Sequence, residues 1–140
     1  MDYTIRAATL EDCKDIYRMI MELAKHEKVS DQVKIAQRDL VQDGFSKNPF
    51  FQSIIAEVPE QHRSSKDGKG IGKALMSKIA QLGLAAGCNQ LNFAVLNWNK
   101  ESMDFYLSQG CWDVTTGLGY HCMRCEGPAL EDLARGDPKN

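Results

Sequence analysis

The chain has 140 residues, 43% of them hydrophobic and 26% charged, enough for one domain with a core of its own. Its net charge of -2 sets it apart from nucleic-acid binders, whose domains are usually basic. No apolar run reaches the roughly 20 residues that cross a bilayer, and the start, MDYTIRAATLEDC, lacks the basic-then-apolar order of a signal peptide. A cytoplasmic protein with no membrane or nucleic-acid partner is the expectation.

In chain order, Tyr3 to Ala7 reads as a first strand. Thr9 is an N-cap candidate, with Glu11 and Asp12 placed where acids suit a helix dipole. Cys13, Ile16, Ile20 and Leu23 recur at helical spacing to about residue 25, a stripe that should face the core. A shorter helix, about Ala36 to Asp43, should end at Gly44, and Asn48-Pro49 marks a turn. Phe50 to Val58 is rich in aromatic and β-branched residues and reads as a strand that Pro59 ends. Residues 59–69 form a polar junction.

From Ile71, apolar residues recur at Leu75, Ile79, Leu82 and Ala86, spaced four, four, three and four, which predicts an amphipathic helix closed by Gly87. Gln90 to Leu96 is expected as a buried strand. Asn99 can cap a helix running to about Ser108, before Gly110, and Tyr120 to Cys125 reads as a last strand. Residues 1–126 then make a single domain, and residues 127–140 a mobile tail. The order of elements is that of an α/β fold.

Five cysteines, Cys13, Cys88, Cys111, Cys122 and Cys125, form an odd and scattered set that reads as reduced thiols. His121 with Cys122 and Cys125 could hint at zinc. A structural zinc site needs four ligands, and no second pair exists, so no metal is expected.

The stretch KDGKGIGKAL holds Gly68, Gly70 and Gly72 just ahead of the third helix. A Walker A loop fails at both ends, because Asp67 and Ala74 stand where glycine and a hydroxyl residue are required. A Rossmann fingerprint fails in spacing, and no strand precedes it. What the residues leave open is a looser loop whose backbone N–H groups face a pyrophosphate, or a flexible linker into a helix.

Read in order, AATLEDCKDIYRMIMELAKHEK, SDQVKI, DLVQDGF, NPFFQSIIAEV, GKGIGKALMSKIAQLGLAAGC and AVLNWNKESMDFYLSQG resemble the GCN5-related N-acetyltransferases. Among them the diamine acetyltransferases are most similar, with SDQVKI, GCNQLNFAVLNWN and SMDFY nearest the thialysine branch. The resemblance spans residues 3 to about 121. It implies a mixed sheet flanked by helices, acetyl-CoA as co-substrate, a primary amine of a diamine, polyamine or thialysine as acceptor, and a homodimer. Gly68, Lys69, Gly70, Ile71, Gly72 and Lys73 match the loop that holds the CoA pyrophosphate. Asn99, Lys100, Glu101 and Ser102 match a second cofactor-contacting turn. Tyr106 matches the tyrosine that protonates the departing thiolate, and His26 and Glu27 match positions that contact the polyamine. On residue type alone, Tyr106 reads equally as a core tyrosine and Glu27 as a solvated helix end.

The sequence also departs from that family. Two strands expected between AEV and the glycine loop are absent, roughly 30 residues, and PEQHRSSKDGK stands in their place. The second of those strands carries the acidic residue that serves as general base. The family's arginine at the start of the loop is Asp67 here, an acidic polyamine contact is Leu118, and a nearby tryptophan is Tyr120. Two outcomes follow from the resemblance. The chain is an acetyltransferase impaired by loss of its base, or a non-catalytic remnant that pairs with full-length subunits.

Overall fold

The computed structural model describes residues 3–63 and 70–136. The chain forms two compact units, residues 1–94 and 95–140. The first contains strand β1 (Thr4–Ala7), helix α1 (Cys13–His26), helix α2 (Gln37–Phe45), strand β2 (Ile54–Glu57) and helix α3 (Ile71–Ala85). The second contains α4 (Lys100–Ser108), α5 (Val114–Leu118) and α6 (Pro128–Arg135).

β1 and β2 pair antiparallel, with Ile5 opposite Ala56 and Arg6 opposite Ile55. The Ala8 N–H donates to the Ser53 carbonyl at 2.9 Å, and alternation along an antiparallel ladder makes Arg6 and Ile55 a hydrogen-bonded pair. Arg6 ties the pair to the start of α1. Its guanidinium forks onto both oxygens of Asp12, at 2.7 and 3.0 Å, and its Nε donates to Glu57 Oε2 at 3.0 Å. The Thr9 N–H and hydroxyl also donate to Asp12 Oδ2, at 2.7 and 3.1 Å. This clamp holds the Asp12 carboxyl well below the usual carboxylate range, first through Arg6 and then through the Thr9 N–H. The cap expected at Thr9 is thus a reciprocal arrangement centred on Asp12.

Helix α1 carries Asp15 in its first turn and Lys25 and His26 in its last, in keeping with the dipole. It packs against α2. Cys13, Ala24 and Leu40 are the buried hydrophobic residues among those described. Burial pushes the Cys13 thiol up, with Asp12 and Glu11 adding to the effect, so it behaves as a small apolar core residue.

Gly44 does not terminate α2, which runs on to Phe45. Its role is steric: a Cβ there would lie 2.5 Å from the Phe51 ring. Helix α3 begins and ends where the spacing predicts and packs on β2. Its expected core stripe is only partly covered, with Ile79 and Leu82 43% and 48% exposed.

The reason lies in the segment that follows. Gln90 to Leu96, expected as a buried strand, form no strand, and Leu91 and Phe93 are exposed. Tyr120 to Cys125 likewise forms no strand and lies exposed. The sheet therefore has two strands among the described residues. Helix α6 occupies most of the region read as a tail.

Candidate acetyl-transfer site

Of the glycine loop, Gly68 and Lys69 lie outside the described residues, as does Asp67. Gly70 sits at the N-cap of α3 with φ +92°, a left-handed conformation that glycine adopts without a Cβ penalty. The first intrahelical bond runs from the Ala74 N–H to the Gly70 carbonyl at 2.9 Å. The N–H groups of Ile71, Gly72 and Lys73 precede it and have no intrahelical acceptor. No side chain among the described residues caps this end, and no acid stands in its first turn. An added Cβ at Gly70 or Gly72 would meet nothing within 4 Å. Backbone donors, positive dipole and open approach suit an anionic group such as a pyrophosphate.

The N-terminus of α4 is arranged differently. Asn99 Oδ1 accepts the Ser102 N–H at 3.2 Å, so its side chain serves as the cap. Lys100 Nζ lies 3.7 Å from Asp104 on the exposed face, and Glu101 is exposed in the first turn. Ser102 and Tyr106 are half-buried and, four apart, share one face of the helix. The Tyr106 ring meets that of Phe105 edge-on, with centroids 5.5 Å apart.

In the first unit, His26 closes α1 and Glu27 is its C-cap. Glu27 is half-buried, and its N–H donates to the Leu23 carbonyl at 2.9 Å. Lys28 follows in the left-handed region at φ 60°. The Lys28 N–H bonds the Lys25 carbonyl at 3.1 Å and the Val29 N–H the Ala24 carbonyl at 2.8 Å, the paired bonds of a Schellman stop. The expected end of the helix at about residue 25 lies one residue from His26, but the left-handed stop itself carries no sequence signal, because that signal is glycine or asparagine and the residue is lysine.

The first unit therefore carries His26, Glu27 and Gly70 to Lys73, and the second carries Asn99 to Ser102 and Tyr106. Leu118 ends α5 and is 64% exposed, and Tyr120 just beyond it is 66% exposed. Neither supplies the carboxylate that the resemblance places near the C-terminus.

The family model described as "Acetyltransferase (GNAT) family" matches residues 63–111. A thialysine N-epsilon-acetyltransferase of Bos taurus is 36% identical over 163 residues, covering 93% of this chain and 96% of that protein. The chain belongs to the acetyltransferase (GNAT) family. The Sus scrofa protein of the same name is 38% identical with the same coverage. A spermidine/spermine N(1)-acetyltransferase-like protein of Homo sapiens is 31% identical over 96% of this chain and 24% of its own length. Among solved structures, an integron cassette protein from the mobile metagenome of V. cholerae shares the fold, with a TM-score of 0.67, 23% identity, and coverage of 96% of this chain and 99% of that one.

For this GNAT chain the alignment lengths carry a further fact. Ninety-three per cent of 140 residues is about 130, so about 33 of the 163 positions aligned with the Bos taurus protein have no counterpart here. That shortfall agrees with the roughly 30 residues of two strands and their connections.

Proposed function

We propose that the chain is an acetyl-CoA-dependent N-acetyltransferase acting on a primary amine of a diamine, a polyamine or thialysine, with residues 1–126 serving as one catalytic domain. The observation that carries this reading is the near full-length match to relatives named thialysine N-epsilon-acetyltransferase. The N-terminus of α3, where no described side chain caps the helix, supports it, since that is where an anion is best received.

In this reading, Gly68 to Lys73 hold the CoA pyrophosphate on backbone N–H groups, and Asn99 to Ser102 form the second contact. His26 and Glu27 meet the amine substrate. Attack of the amine on the thioester produces an oxyanion and a departing thiolate, and the Tyr106 phenol gives the sulfur its proton as general acid. In this reading the missing segment falls between Val58 and the glycine loop and takes the general base with it. An ammonium with a pKa of about 10 then stays protonated at neutral pH, and turnover falls well below that of an intact relative.

A second reading is favoured by the exposed apolar residues of 90–96, Leu91 at 45% and Phe93 at 44%. In it the chain is a non-catalytic remnant that pairs, in the cytoplasm, with full-length subunits of the same family. Thermal unfolding of the purified chain with and without acetyl-CoA separates the two readings. A ligand that binds only the folded state raises the midpoint. A raised midpoint with slow acetylation of thialysine or spermidine supports the enzyme. No shift and no acetylation, together with co-purification on an intact subunit whose activity falls, supports the remnant.

A further inference from the structure

The segment between α5 and α6 carries two thiols that acetyl transfer does not use. Left-handed Gly119 closes α5 at φ 76°, and Gly127 precedes α6 at φ 62°. Between them, residues 120–126 are exposed along their whole length and belong to no helix or strand. No backbone hydrogen bond among the described residues holds this segment. Cys122 and Cys125 lie within it, both exposed and both free thiols.

A disulfide needs its two Cα atoms about 4.4–6.8 Å apart. Residues three apart in sequence come within about 7 Å of each other when the chain makes a β-turn. Turning the backbone from Cys122 to Cys125 breaks no helix or ladder hydrogen bond, because the segment has none to lose. The remaining cysteines are placed differently. Cys13 is buried, Cys88 belongs to the first unit, and half-buried Cys111 precedes α5. No group of three metal-binding side chains forms among the described residues, so His121 does not join the two thiols in a metal site. Two accessible thiols at turn spacing on unconstrained backbone suit exchange chemistry.

We propose that Cys122 and Cys125 form a thiol–disulfide exchange site that takes a low-molecular-weight disulfide, such as oxidised glutathione. One cysteine, as its thiolate, attacks the small disulfide, forms a mixed disulfide and releases one small thiol. The other then attacks the protein sulfur of that mixed disulfide and releases the second. One S–S bond breaks and one forms in each step. The two cysteines lose two electrons and two protons, and the small disulfide becomes two thiols. The closed form is a turn between α5 and α6, and an excess of the small thiol reopens it. The site stands independently of whether the chain transfers acetyl groups.

The intact 140-residue chain, equilibrated with reduced and oxidised glutathione, acid-quenched, alkylated and mapped by peptide mass, tests it. A closely tethered thiol has an effective concentration of millimolar order, so at about 0.1 mM reduced glutathione the closed form should exceed the mixed disulfide about tenfold. The mapped bond should join Cys122 to Cys125, and Cys13 should be alkylated only after denaturation. Cys122→Ser and Cys125→Ser should each stop at the mixed disulfide, with glutathione accumulating on the remaining thiol. Both positions are exposed, so both variants should melt with the parent; should either not fold, the bond mapped in the parent decides. Glutathione accumulating on Cys122 or Cys125 of the parent, a mapped bond to any other cysteine, or thiols that stay reduced at every glutathione ratio would each overturn the proposal.

Discussion

Ile54–Glu57 and Gln90–Leu96 are the two most strand-like stretches in the chain, and only the first became a strand. Both are apolar and bounded by turn residues. Ile54–Glu57 has β1 beside it, with four residues in register, and its isoleucines are half-buried against helices. Gln90–Leu96 has no paired strand among the described residues, and Leu91 is 45% exposed. Propensity nominates a strand, but a neighbour's N–H and C=O groups make one. The same absence leaves Ile79 and Leu82 of α3 uncovered.

The comparison can be broken most forcefully by supplying the missing neighbour. Placing between Val58 and Gly70 the residues that the Bos taurus relative carries between the matching positions should turn 90–96 into a strand with slowly exchanging amides. Thialysine acetylation should rise by roughly 10²–10⁴-fold, the range expected for a recovered general base. Amides at 90–96 that continue to exchange rapidly would show that the segment lacks more than a partner.

Proline substitution sharpens the contrast at the level of one hydrogen bond. Ile55→Pro removes a donor from the ladder and should cost about 1–3 kcal/mol in denaturant melts. Asn92→Pro, in the unpaired stretch, should stay within about 0.5 kcal/mol of the parent. Equal costs at both positions would refute the reading of 90–96 as unpaired.

The clamp beside β1 supplies a pH-dependent version. Asp12 has a folded-state pKa lowered by Arg6 and Thr9, against an unfolded value of about 3.9. Its stabilisation is complete above that value and is lost as pH falls toward the folded one. Asp113, lowered by the Thr116 hydroxyl and N–H and then the Thr115 N–H, acts with the same sign in the second unit. Asp12→Asn should cost roughly 1–2 kcal/mol at neutral pH and flatten the acid limb of the stability curve below about pH 4. An unchanged acid limb in that variant would shift the effect to other carboxylates.

The smallest effects should come from two glycines in the two helices that meet β2 and Phe51. Gly44→Ala drives a single methyl into the Phe51 ring and should cost about 1 kcal/mol. Gly72→Ala meets nothing within 4 Å and should stabilise α3 by up to about 1 kcal/mol, while weakening acetyl-CoA binding if the loop receives its pyrophosphate. Melting curves of the two variants that move in the same direction would contradict the packing around Gly44.

What the sequence made legible was local. The starts of α3 and α4 follow from Gly70 and Asn99, and α1 from its apolar stripe and acidic entry, because caps and periodicity act within a few residues. Family membership was legible because many short segments match in order, and the relatives bear it out. The failures were non-local or against type. Gly44 looks like a helix stop until Phe51 arrives from the stretch ahead of β2. Lys28 takes a glycine's place in the left-handed region. Gln90–Leu96 reads as a strand because nothing in its own letters reports that no described strand pairs with it.

The ion pair between Arg6 and Glu57 joins residues 51 apart in the chain, and both helices α1 and α2 lie inside that span. β1 cannot complete its pairing until Glu57, the last residue of β2, has been synthesised. Closing so long a loop carries its entropy cost before any ladder hydrogen bond offsets it. The helices should therefore form first, in microseconds or less, and the strand pair should close around them as the slow step. A ribosome paused before residue 53 would hold a first strand with nothing to bind.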